Sequence, residues 1–146
     1  MIWRRLQAMG ALYLQNAACL LPARQDLDEN MQYVAAQVEE MGGACYLFSA
    51  SALLPGGAKR LTAEFRDQAD ARLAEIIERL DSARVGLDLA ADTSALERVE
   101  GDLKRERVAF LRARRLAYFG STKDVEVDSR LESLKQSLDT LYRSGK

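Results

Sequence analysis

The amino-acid sequence predicts an α+β chain, with a small sheet-bearing subdomain at residues 1-54 and a helical hairpin or three-helix segment at 58-146. Three observations predict it. The first fifty residues hold short β-compatible runs between amphipathic stretches. Pro55-Gly56-Gly57 is the clearest break in the chain. Beyond it, apolar residues step by three or four along three successive stretches, and no further strand is needed.

Trp3 and Leu6 open a first helix, followed by strands at Ala11-Gln15 and Ala17-Leu21 around a turn at Gln15-Asn16. Leu27, Met31, Val34, Val38 and Met41 form one apolar stripe, so a second helix follows Asp26 or Asp28 as N-cap and stops at Gly42-Gly43. Ala44-Cys45-Tyr46-Leu47-Phe48 reads as a third strand. Helix-strand-strand-helix-strand is a ferredoxin-like order without its first strand. That strand normally lies in the sheet interior, and its absence predicts an upstream start, a closed-up sheet, or a partner chain that supplies the edge. The last two favour a homodimer or a rearranged sheet.

In the second half, Leu61, Phe65, Ala69, Leu73, Ile76, Leu80, Ala83 and Leu87 mark one long helix. The next starts near Asp92 or Ser94 and runs through Leu96, Val99, Leu103, Phe110 and Ala113 towards Tyr118, where Gly120-Ser121 ends it. Leu131, Leu134, Leu138 and Leu141 mark the last.

Composition narrows the function. The chain has 146 residues and a formal net charge of -1, so nucleic-acid binding would have to live in a local patch. It contains no histidine, which excludes imidazole metal ligands, histidine-dependent triads and histidine acid–base catalysis. With no metal motif, cofactor motif or activated nucleophile in view, no enzyme activity, no metal and no cofactor are expected. No window approaches the roughly 20 apolar residues that a membrane helix requires. A cytoplasmic protein without a membrane partner is the simplest expectation.

The strongest charge signal is the helix bearing Lys104, Arg105, Arg107, Arg112, Arg114 and Arg115. At about 100° per residue these side chains share one half of the helix, opposite Val99, Leu103, Phe110, Ala113 and Ala117. Such a face suits a phosphate backbone or a tetrahedral oxyanion, since guanidinium groups present forked donors. The plain alternative is a solvated face paired with Glu97, Glu100 and nearby acids, with Asp102 and Glu106 diluting the patch. Arg4 and Arg5 form a weaker cluster, whose alternative is an exposed face with Trp3 and Leu6 packed inward. Cys19 and Cys45, on strands of one sheet, are either a redox-sensing thiol pair or small buried hydrophobes. Gly56-Gly57 before Lys59-Arg60 lacks P-loop spacing and reads as a turn.

Trp3-Arg4-Arg5-Leu6, Met9-Gly10-Ala11-Leu12-Tyr13-Leu14-Gln15 and Cys19-Leu20-Leu21-Pro22 together resemble the amino-terminal domain of chromate-resistance regulatory proteins, the ChrB family. More distantly they resemble the Cas2-like module of PaaX-type repressors. The likeness continues through Ala63-Glu64-Phe65-Arg66, Ala117-Tyr118-Phe119-Gly120 and Leu141-Tyr142. Ala117 departs from the acidic residue that the family commonly carries there. The resemblance implies a transcriptional regulator or oxyanion stress sensor, with DNA and chromate or sulfate as partners and a second, C-terminal domain in full-length relatives. Arg112, Arg114, Arg115, Arg4 and Arg5 would make the anion or phosphate contacts. Cas2-like nucleases use an Asp at the end of the first strand, the strand this order lacks. The rival readings are a stand-alone interaction module and, more remotely, an enzyme acting on phosphate or an oxidised anion.

Overall fold

A computed structural model describes residues 2–15 and 18–144. The chain divides into two compact units, Met1–Phe65 and Arg66–Lys146.

The first unit opens with helix α1 (Ile2–Ala8), which buries Leu6. Strands β1 (Leu12–Gln15) and β2 (Ala18–Leu20) follow and pair antiparallel, Leu12 opposite Leu20 and Tyr13 opposite Cys19, with an irregularity between Tyr13 and Gln15. Asn16 and Ala17, on which the expected turn and the start of the second strand fall, lie outside the described residues. Helix α2 (Gln25–Glu40) buries Leu27 and Val34. Its N-cap position is Arg24, not Asp26 or Asp28. Arg24 instead holds Asp26 in an ion pair at 3.0 Å, and both aspartates sit in the first turn, where the helix dipole favours them. Gly42, at φ +87°, ends the helix in the left-handed region, which lets the Gly43 N–H return to the Val38 carbonyl at 3.0 Å. Leu6, Ala11 and Val34 form the core of this unit, with Ile2, Met9, Cys19, Leu21 and Met31 packed around them.

The third strand is not formed. Ala44–Phe48 carries no regular structure, and Tyr46 and Phe48 are 79% and 87% exposed. A run of strand-favouring residues becomes a strand only when a neighbour takes its backbone hydrogen bonds, and the described sheet consists of β1 and β2 alone. The α+β class therefore stands, while the ferredoxin-like sheet is reduced to a two-stranded ribbon. Trp3 also departs from expectation. It is 44% exposed and meets Tyr13 edge-to-face at 4.2 Å between centroids, rather than packing inward.

Helix α3 (Gly57–Asp88) starts directly after Pro55-Gly56 and continues into the second unit. Helix α4 (Thr93–Leu116) is capped by Asp92, whose carboxylate accepts from the Ala95 N–H at 2.8 Å. Helix α5 (Asp124–Ser144) completes the unit. The three-four stripes meet in one core: Leu73, Ile76, Leu80, Ala83 and Leu87 of α3, Val99, Leu103, Phe110 and Ala113 of α4, and Val127, Leu131, Leu134 and Leu138 of α5. Polar ties cross its rim, Arg84 donating to Ser137 at 2.6 Å and Tyr142 to Glu100 at 3.0 Å.

Candidate nucleic-acid interface

Helix α4 divides into two halves with different electrostatics. In the first, Arg98 is free among the described residues, but Lys104 and Arg105 are occupied. Lys104 lies 3.8 Å from Glu100, one turn back, and Arg105 pairs with Asp102. This is the solvated, self-paired face of the plain alternative. From Arg107 to Leu116 there is no acidic residue. Arg107, Arg112 and Arg115 are exposed and make no hydrogen bond, ion pair or ring contact among the described residues. Arg114 sets its guanidinium 5.4 Å from the centroid of the Phe110 ring. Both Arg114 and Arg115 stand in the last turn, where the helix dipole favours positive charge.

Glu106 does not dilute this patch. It is buried, 6% exposed, and its two carboxylate oxygens accept from Nε of Arg79 on α3 at 2.8 and 2.9 Å. The spacing of Val99, Leu103, Glu106, Phe110 and Ala113 explains why: Glu106 occupies the inward stripe of the helix. On the outward face, Val108 and Leu111 are 56% and 57% exposed among the arginines, so the surface is basic with an apolar centre. A shallow depression lies between Leu111, Arg114 and Arg115.

The turn after α4 is fastened to α3. Nε of Arg66 donates to the Phe119 carbonyl at 3.2 Å, and Asp70 accepts from both the Thr122 N–H and the Thr122 hydroxyl at 2.7 Å. Burial opposes ionisation of Asp70, but the Thr122 hydrogen bonds, with the charge and backbone N–H of Lys123, outweigh it and hold the carboxyl below the usual range. Gly120, at φ +85°, supplies the left-handed step that this turn requires. Sequence reasoning placed the turn and missed its anchors. Ser121-Thr122 ahead of a helix was the available signal.

Arg4 is exposed and free among the described residues. Arg5 is occupied: it donates to Gln37 and covers the Tyr33 ring at 4.5 Å. Cys19 and Cys45 are half-buried free thiols, and Cys45 does not lie on a strand. Burial, and then the nearby Cys45, push the Cys19 thiol above its ordinary range, which lowers its thiolate fraction. A groove of about 550 Å³ between α3 and α4 sets Arg79, Arg98 and Arg105 against Glu78, Asp102 and Glu106. Cations and carboxylates balance there, so the groove offers an anion no net field. Among the described residues no group of His, Cys, Asp or Glu is placed to hold a metal ion, and no helix is long and apolar enough to cross a membrane.

The fold and this face define a mostly helical α+β protein whose α4 ends in a basic face with guanidinium groups unpaired among the described residues. The family model for the N-terminal region of protein ChrB matches residues 1–143, and the chain belongs to that chromate-resistance-related family. Neither a curated protein nor a solved structure matches it.

Proposed function

We propose that this chain is a non-enzymatic chromate-resistance regulator that binds DNA through the outward face of α4. The observation that carries the reading is the arginine-only stretch after Glu106, where Arg107, Arg112 and Arg115 have no protein partner among the described residues and Glu106 points inward. Unpaired guanidinium groups are available to phosphate without breaking an existing ion pair, and each phosphate contact releases counterions. Arg4 is a secondary contact, whereas Lys104, Arg105 and Arg5 would first have to leave their partners. The same free guanidinium groups are the proposed seat for chromate or sulfate. A thiol response at Cys19 and Cys45 is the weaker part of the reading, because a raised thiol pKa disfavours the reactive thiolate.

Binding to duplex DNA from upstream of its own gene, measured by fluorescence anisotropy, should weaken steeply with salt. Arg112→Glu/Arg115→Glu should reduce affinity at least about tenfold, and Lys135→Glu/Arg143→Glu on α5, which changes net charge equally, should reduce it far less. Equal losses in the two double variants would reduce the effect to net charge and remove α4 from the reading.

A second reading, a protein-interaction module, is favoured by one observation: Tyr46, Phe48, Leu53 and Leu54 are all largely exposed within one irregular segment. A homodimer is compatible with either.

A further inference from the structure

We infer that α2 of a second copy of this chain docks on the basic face of α4 and competes with DNA for it. The inference rests on the reading of that face as the DNA interface. Helix α2 is the electrostatic counterpart of α4's end: it contains Asp26, Asp28, Glu29, Glu39 and Glu40 and no lysine or arginine. In the first unit Arg24 is neutralised by Asp26, while Arg5, bound to neutral Gln37 and laid over the Tyr33 ring, keeps its charge, so the remaining four carboxylates of α2 outnumber it. At about 100° per residue, Glu29, Tyr33, Ala36 and Glu40 share one outward stripe, opposite the buried Leu27 and Val34. All four are exposed. Asp28, Glu29, Glu39 and Glu40 have no ion-pair partner among the described residues. The stripe therefore offers the Ala36 methyl and the part of the Tyr33 ring that Arg5 leaves open between carboxylates, opposite α4's Val108 and Leu111 between Arg107, Arg112 and Arg115.

Single exposed ion pairs contribute little, but several pairs around an apolar centre act together, and the contact should be strongly salt-sensitive. The acidic stripe mimics the charge of a phosphate backbone, so the two ligands of α4 exclude one another.

Sedimentation velocity at about 50 mM and about 500 mM salt tests the contact without DNA. Wild type should associate reversibly at low salt and dissociate at high salt. Glu29→Lys/Glu40→Lys and Arg112→Glu/Arg115→Glu should each weaken association about tenfold or more. An equimolar mixture of the two variants should associate again, because each α2 then faces an α4 of opposite charge. A wild type that stays monomeric at low salt, or a mixture that stays as weak as the separate variants, overturns the inference. In anisotropy titrations, Glu29→Lys/Glu40→Lys should bind DNA more tightly than Asp128→Lys/Asp139→Lys, a net-charge match on α5. Equal affinities overturn the competition. Association that follows the charge swap in a chain that ignores DNA would sink the DNA reading and leave the contact between copies standing.

Discussion

The two units of this chain draw on similar residue types and use them differently. In the second, thirteen apolar side chains from three long helices close into one core, with Leu73, Leu80 and Val127 at its centre. In the first, the corresponding cluster is Leu6, Ala11 and Val34, while Tyr46, Phe48, Leu53 and Leu54 remain outside. Helices satisfy their own backbone and need only a face to bury, whereas a strand needs both a face and a neighbour. That difference is why the three long helices close a core together while the sheet-bearing half leaves large apolar groups uncovered.

The sharpest way to break the comparison is to open the larger core. Leu80→Ala should cost roughly 2–5 kcal/mol and lower the calorimetric Tm, because a closely packed site collapses only in part around the cavity. A loss under about 1 kcal/mol would mean that the second unit is loosely packed. A smaller effect is expected at the anchored turn. Because the Asp70 carboxyl is held below its unfolded value of about 3.9, it stabilises the fold fully above that value, and the contribution disappears as pH falls through the folded-state pKa. Asp70→Asn should therefore lose about 1 kcal/mol at neutral pH, discounted for exposure, and show a flatter Tm-versus-pH curve below pH of about 4. A curve parallel to wild type would remove the turn's charged anchor. The smallest effect belongs to the uncovered segment: Tyr46→Ser/Phe48→Ser should change stability by no more than about 0.5 kcal/mol while raising solubility. A large loss would show that these rings are covered in solution.

Most of the helical half was legible residue by residue, although Leu61 and Leu96 are only half-buried and Leu141 is exposed. Phe65, Ala69, Leu73, Ile76, Leu80, Ala83 and Leu87 all lie buried at the spacing that marks them in the sequence. Asp92 caps α4 as its short acceptor side chain suggests. Besides the α2 cap and the anchors of the turn after α4, three features were not legible. Ala44–Phe48 has strand chemistry, but a local pattern carries no information about whether a pairing edge exists. Trp3 sits at the surface because a seven-residue helix buries little, and its ring finds Tyr13 instead. Glu106 was counted with the surface charge of α4, although its position three after Leu103 and four before Phe110 places it on the apolar stripe. The part of the basic face that is free was thus hidden by summing charges along the chain, a sum blind to the direction in which each one points.

The edge-on contact of Trp3 with Tyr13 has a practical corollary. Trp3 is the single tryptophan of the sequence, so indole emission reports on its site in the first unit, against Tyr13. Any event that disturbs α1 or β1 should shift that emission. The chain thus carries its own optical label, confined to the half with the smaller core.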